Sequence, residues 1–170
     1  KAACAALAVS GLVSLPALAA DTIKVGILHS LSGTMAISET VLKDVALMTI
    51  DEINEKGGVD GFRIRPIYAD AQSKAEVAIS ETERLINQER VDMLMGVYSS
   101  AHCVPMAQKT DAAKKFFWMN VCVASAVLKD KKLQYAFRPQ VHSDQFGEAS
   151  CAFLNENSEK KMGIKPAALK

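Results

Sequence analysis

The sequence predicts an α/β protein built on a parallel sheet flanked by helices. From Thr22 onward, short apolar runs alternate with longer amphipathic ones at helical spacing, the pattern of βαβ units joined by right-handed crossovers. The run from Val91 to Val97 is apolar almost throughout, as a strand covered on both faces requires. The composition agrees: 170 residues, 49% hydrophobic and 23% charged, suit a globular protein with room for one real core. With 20 basic against 19 acidic groups and no basic block, neither nucleic acid nor anionic membrane is expected as the main partner.

Residues 1–20 stand apart. Lys1, a small and apolar run from Ala2 to Leu15, and Pro16 followed by Ala17-Leu18-Ala19 have the shape of a secretory signal peptide cleaved near Ala19 or Ala20. Ser10, Gly11, Ser14 and Pro16 interrupt the run and no basic cluster follows, so a membrane anchor fits less well. The expected organisation is a leader over 1–20 and one lobe over 21–170. Cys4 leaves with the leader, while Cys103, Cys122 and Cys151 remain in an oxidising compartment. Their spacing fits no zinc or redox motif. Three buried small hydrophobes is the favoured reading. A Cys103–Cys122 bridge stays open, because both residues fall just beyond strand ends.

The first strand is Ile23 to Leu28, ended by the polar loop His29-Ser30-Leu31-Ser32-Gly33. A helix follows from about Ser38 to Lys56, with Leu42, Val45, Met48, Thr49 and Ile53 on its apolar face. Gly57-Gly58 ends it, as residues free to take positive φ do. Phe62 to Tyr68 is a second strand, and Pro66 places it at a sheet edge. Ser73-Lys74-Ala75-Glu76 reads as a capping box. The helix behind it buries Ala75, Ala78, Ile79, Thr82, Leu85 and Ile86. Val91 to Val97 is the third strand, and Tyr98-Ser99-Ser100 leads into a helix containing Val104, Pro105, Met106 and Ala107. Phe116 to Val121 and Tyr135 to Arg138 are the fourth and fifth strands. A last helix starts near Ser143 and fades by Lys161.

In such a sheet, ligands bind at the loops leaving the carboxyl ends of the strands. These are His29–Ser38, Asp70–Ser73, Tyr98–His102 and Cys122–Ala126. None of them carries a dinucleotide-binding or P-loop glycine pattern, and no nucleophile elbow surrounds Ser32 or Ser100. His29, His102 and His142 share no metal-ligand spacing and read as solvated loop residues. No catalysis, cofactor or metal is expected. The loops do offer hydroxyls and the N–H groups of a helix start: Ser99 and Ser100 after the third strand, Ser125 after the fourth. Two converging serine loops suit a small carboxylate or amide. That Ser100 merely caps its helix is an equally good reading of the residues alone.

Ile23 to Leu28 followed by Leu31-Ser32-Gly33, then Ile53-Asn54-Glu55-Lys56-Gly57-Gly58-Val59-Asp60-Gly61, resembles the leucine/isoleucine/valine-binding protein family. The likeness continues through Asp70, Gly96-Val97-Tyr98-Ser99-Ser100, Pro105 and Tyr135-Ala136-Phe137-Arg138. It implies the type I periplasmic binding fold, a periplasmic location, a small amino-acid ligand and a membrane permease of an ABC importer as partner, with the receptor acting as a monomer. By the same resemblance Ser100 holds the ligand carboxylate through its hydroxyl and nearby N–H groups, with Ser99 beside it as a further candidate ligand-binding residue. Val123, Ala124 and Ser125 then hold the amino group and carboxylate. Ser38 stands where the family often has an aromatic residue packed on the ligand side chain, and is small and polar here. Gln72 and Ser99 occupy positions that form a disulfide in some members, so that bridge is absent. Leu28 to Glu39 resembles the urea- and short-amide-binding branch of the superfamily more closely, whereas Cys122 to Leu128 does not. The resemblance also implies a second lobe. With no initiator Met and no second lobe, the chain is expected to be a fragment carrying half a ligand site, with weak binding or none by itself.

Overall fold

The computed structural model describes residues 22–163; the expected leader with Cys4, and Lys165-Pro166, lie outside them. The elements are β1 (Thr22–His29), α1 (Ala36–Glu55), β2 (Arg63–Asp70), α2 (Ala75–Asn87), β3 (Met93–Gly96), α3 (Ser100–Ala112), β4 (Phe116–Met119), β5 (Ala136–Phe137) and α4 (Ser143–Met162). One turn of 3-10 helix, Ser125–Val127, lies between β4 and β5. The sheet runs β2-β1-β3-β4-β5 with every neighbouring pair parallel. The chain leaves β1 towards β2 and then returns to β1's other side, so the strand order reverses between β1 and β3. The third and fourth strands are shorter than the sequence predicts, ending at Gly96 and Met119, and the chain beyond them passes through positive φ at Val97 and Cys122.

Alternation along the strands sorts the core into two layers. Leu28, Leu94, Phe117, Met119 and Ala136 point to one face, where Ala78 and Leu85 of α2 and Cys103, Met106 and Ala107 of α3 cover them. Val25 and Ile27 point to the other face, against Ala46 and Ile50 of α1. The expected apolar face of α1 needs correction. Ala46 and Ile50 are its buried apolar residues, while Val45 is 50% and Met48 57% exposed. Among the described residues α1 is the only helix packed on this face, so Leu42, Val45, Thr49 and Ile53 line an open groove of about 320 Å³ with Met93 and Met95.

The end of α1 explains the I-N-x-x-G-G run. Gly57 and Gly58 take φ of 102° and 82°, and their N–H groups return to the carbonyls of Asn54 and Ile53 at 3.2 and 2.9 Å. The Asn54 side chain accepts from the Ile64 N–H and donates to the Ile64 carbonyl, at 2.7 and 2.8 Å, which ties the helix end to β2. Pro66 sits on β2, an edge strand, where a missing N–H is tolerated. The Ser73 capping box does not form: the residue before α2 is Lys74, with no side-chain cap. Ser73 stands at φ 58° and its hydroxyl bridges loops instead, accepting from Met35 N–H at 2.9 Å and donating to the Ser32 carbonyl at 3.0 Å. Helix α4 starts at Ser143 as predicted, and every side chain from Ser143 to Phe153 is exposed.

Candidate functional site

The carboxyl ends of the strands carry a connected set of polar contacts. Asp70 ends β2, and its carboxylate accepts from the N–H groups of Leu31, Ser32 and Gln72, at 2.8, 3.2 and 2.7 Å. It also accepts from the Ser32 hydroxyl at 2.7 Å. Partial burial pushes this carboxyl up, but the Ser32 hydroxyl and the three N–H groups outweigh it and hold the pKa below the usual carboxylate range. Asp70 is thus the anchor of the loop between β1 and α1.

Beneath that loop the solvated-histidine reading fails. His29 is fully buried and its Nδ1 lies 2.8 Å from Glu39 Oε2, on the first turn of α1. The same carboxylate oxygen accepts from Ser30 N–H at 3.1 Å. Burial raises the Glu39 pKa, yet the His29 and Ser30 hydrogen bonds, with the His29 charge, bring it below the ordinary value. His102, on the first turn of α3, is only 2% exposed. Burial lowers its pKa, against the opposing pull of Glu39 and Glu76. His142 is half-buried. The sequence misses these placements because a polar residue in a strand-exit loop reads as solvated until two helix starts pack over it.

The serine loops converge. Gly96 lies beside Leu28 at φ 135°, where a Cβ would overlap the Leu28 carbonyl, and Val97 follows at φ 53°. This turn delivers Ser99 as the residue before α3 and Ser100 as its first, neither capping the helix with its side chain. The Ser100 hydroxyl instead accepts from Ala124 N–H at 3.0 Å, directly joining the two loops. Cys122, also at φ 53°, donates its N–H to the Tyr98 carbonyl at 3.1 Å. Arg138 Nη1 donates to the carbonyls of Cys122 and Ala124, both at 2.8 Å, and partial burial lowers the guanidinium pKa. Non-glycine residues at positive φ cost on the order of 1–3 kcal/mol and persist where their surroundings over-determine them.

Cys103 and Cys122 form a disulfide with a Cα separation of 6.1 Å, within the usual range. Cys151 is an exposed free thiol. The favoured reading of three buried small hydrophobes is therefore right about burial at Cys103 and Cys122, which are bridged as the open alternative allowed, and is corrected at Cys151. The pairing follows from tertiary placement, since the loops after β3 and β4 are neighbours only in the sheet.

Ser125 is more engaged than its resemblance-based role implies. Its hydroxyl meets His142 Nδ1 at 3.2 Å and the Ser143 hydroxyl at 3.1 Å, and its N–H donates to Ser143 Oγ at 3.3 Å. Ser143 N–H donates to the Val123 carbonyl at 2.8 Å. These contacts tie the Val123–Ser125 loop to the start of α4. Beside them a polar hollow of about 320 Å³ is lined by Ser125, Leu128, Lys129, Arg138, His142 and Asp144. The Ser125 hydroxyl and Lys129 hold the exposed Asp144 carboxyl below its usual pKa. No carboxylate hydrogen-bonds the His142 ring among the described residues, so the orienting third group of a nucleophilic triad is not in place. Ser38 stands exposed on the first turn of α1, with no hydrogen bond to the serine loops among the described residues. Among the described residues no cluster of three His, Cys, Asp or Glu side chains could hold a metal ion. The site offers hydroxyl and N–H groups for holding a small polar ligand.

Comparison with known proteins agrees with the fold. Leu/Ile/Val-binding protein homolog 7 of Brucella suis is 30% identical over 158 residues, covering 93% of this chain and 39% of the relative. Homolog 8 of Brucella abortus is 28% identical over 164 residues, covering 96% and 40%. The branched-chain amino acid transporter substrate binding protein LivJ of Streptococcus pneumoniae, solved with isoleucine, superposes with a TM-score of 0.74 at 26% identity, over 81% of this chain and 39% of that one. The leucine binding protein LivK of Thermotoga maritima shares the fold, with a TM-score of 0.67 at 20% identity over 84% of this chain and 38% of its own. The chain thus spans about two fifths of the length of these proteins. Residues 23–120, more than half of the chain, match the family described as periplasmic binding protein domain, and the chain belongs to that family.

Proposed function

We propose that this chain supplies one lobe, residues 21–170, of an extracytoplasmic receptor that binds a branched-chain or related amino acid and delivers it to the permease of an ABC importer. The observation that carries the reading is the junction of the Ser99–Ser100 and Val123–Ser125 loops through the Ser100–Ala124 hydrogen bond, at the amino end of α3. Helix-start N–H groups and hydroxyls there suit a carboxylate. Ser99, Ser100, Val123, Ala124 and Ser125 are the proposed ligand contacts, with Ser38 facing the ligand side chain. Residues 1–20 act as a cleaved leader for export to the periplasm. The relatives named for leucine, isoleucine and valine favour an amino acid over urea or an amide.

A thermal-shift panel on the protein extended to the length of its relatives tests this. A ligand at 100 times its dissociation constant adds about 2.7 kcal/mol of stability. Leucine, isoleucine or valine is expected to raise the melting temperature. A shift with urea or acetamide alone would overturn the amino-acid reading and make the His29–Glu39 segment the better guide.

A further inference from the structure

We propose that the Cys103–Cys122 disulfide is a positioning device for ligand binding, clamping the two strand-exit loops in the geometry that the ligand meets. This inference rests on the ligand-binding reading above. Cys103 lies three positions after Ser100 on α3, and Cys122 directly precedes Val123. One sulfur thus sits on the first turns of α3, just behind the Ser99–Ser100 loop, and the other on the loop after β4.

The bridge acts where the backbone most needs holding. Cys122 occupies the left-handed region at φ 53°, a conformation its surroundings must impose. Tyr98 accepts its N–H, Arg138 donates to its carbonyl, and Cys103 holds its side chain. Val97, at the corresponding turn after β3, has the same φ of 53°. The Ser100–Ala124 hydrogen bond also joins the loops, but it uses a hydroxyl that the proposed ligand engages. The disulfide holds the spacing whichever partner that hydroxyl takes. Both cysteines are fully buried, so the bridge is shielded from solvent thiols in the folded state. A site whose loops are fixed before binding loses less conformational freedom on binding, which is the general source of affinity by preorganisation.

The test compares the oxidised full-length protein with a Cys103→Ala/Cys122→Ala double variant. Isothermal titration with leucine and isoleucine is run where circular dichroism shows both proteins fully folded. The variant is expected to bind about tenfold more weakly. Hydrogen exchange at the Ala124 amide should quicken while the amides of β1 keep their protection, a local change that a purely global stabilising role would not produce. Cys151→Ser, the control, should leave both readouts unchanged. If the alanine pair fails to fold, the wild type is unfolded in urea, reduced with a phosphine and refolded in its presence: the bridge takes up two electrons and two protons to give two thiols, while the phosphine gains oxygen from water. The same two readouts then apply. Binding within about twofold of the oxidised protein, with Ala124 exchange unchanged, would overturn the proposal. If the oxidised protein binds no aliphatic amino acid, the amino-acid reading fails, and the exchange comparison alone decides whether the bridge orders the loops.

Discussion

The Ser100 hydroxyl accepts the Ala124 N–H at 3.0 Å, so a side chain at the start of α3 holds the loop that follows β4. Replacing Ser100 with alanine leaves that partly buried N–H without its acceptor. We expect Ser100→Ala to lose about 1 kcal/mol of stability in a urea titration. On the proposed amino-acid reading, we expect the full-length protein to show about tenfold or greater loss of affinity by isothermal titration, equivalent to about 1.4 kcal/mol. Unchanged affinity would remove Ser100 from the ligand contacts.

Arg138 holds two carbonyls of the same loop from one guanidinium nitrogen. Arg138→Met removes the donor from both, and we expect a cost of about 2–3 kcal/mol, read as a lower denaturation midpoint at unchanged slope. Arg138→Lys keeps the charge but not the planar donor group, and should recover only part of that loss. Full recovery by lysine would show that charge, and not donor geometry, matters at this position.

Acid should weaken the lobe in two stages. His102 has its pKa lowered by burial, so between that value and about 6.5 the unfolded chain binds the extra proton and stability rises with pH. Its contribution is therefore complete above about pH 6.5 and is lost below it. Asp70 and Glu39 also have lowered values, so theirs is complete above about pH 4.3 and disappears as pH falls through the folded pKa. Melting temperatures measured from neutral to strongly acidic pH should show both declines. Asp70→Asn should flatten the lower one, and a curve that keeps its full lower decline in that variant would refute the assignment.

Gly96 lies in register with Leu28 at the point where the strand order reverses. At φ 135°, with its missing Cβ aimed at the Leu28 carbonyl, it admits no larger residue without displacing β1. We expect Gly96→Ala to cost about 4 kcal/mol or more, the scale of combined backbone strain and steric overlap. A soluble, cooperatively melting alanine variant of near wild-type stability would show that the strand relaxes there.

Local chemistry determined most of the architecture. Apolar runs marked the five strands, and helical spacing marked α1 and α2. Gly57-Gly58 marked the end of α1, and Pro66 marked the edge strand, because these features depend on near neighbours in the chain. The loops that carry the candidate site followed from parallel strand order alone. What the tertiary structure decided depends on residues distant in sequence. The Cys103–Cys122 pairing and the Ser100–Ala124 bond join segments that become neighbours only when β3 and β4 align, and the burial of His29 with Glu39 depends on the start of α1 folding back over the end of β1. Ser73 shows the same limit: its spacing to Glu76 satisfies a local capping rule, yet the loop after β1 lies close enough to claim its hydroxyl first. A polar side chain takes whichever partner the fold brings nearest, and that choice is written in three dimensions.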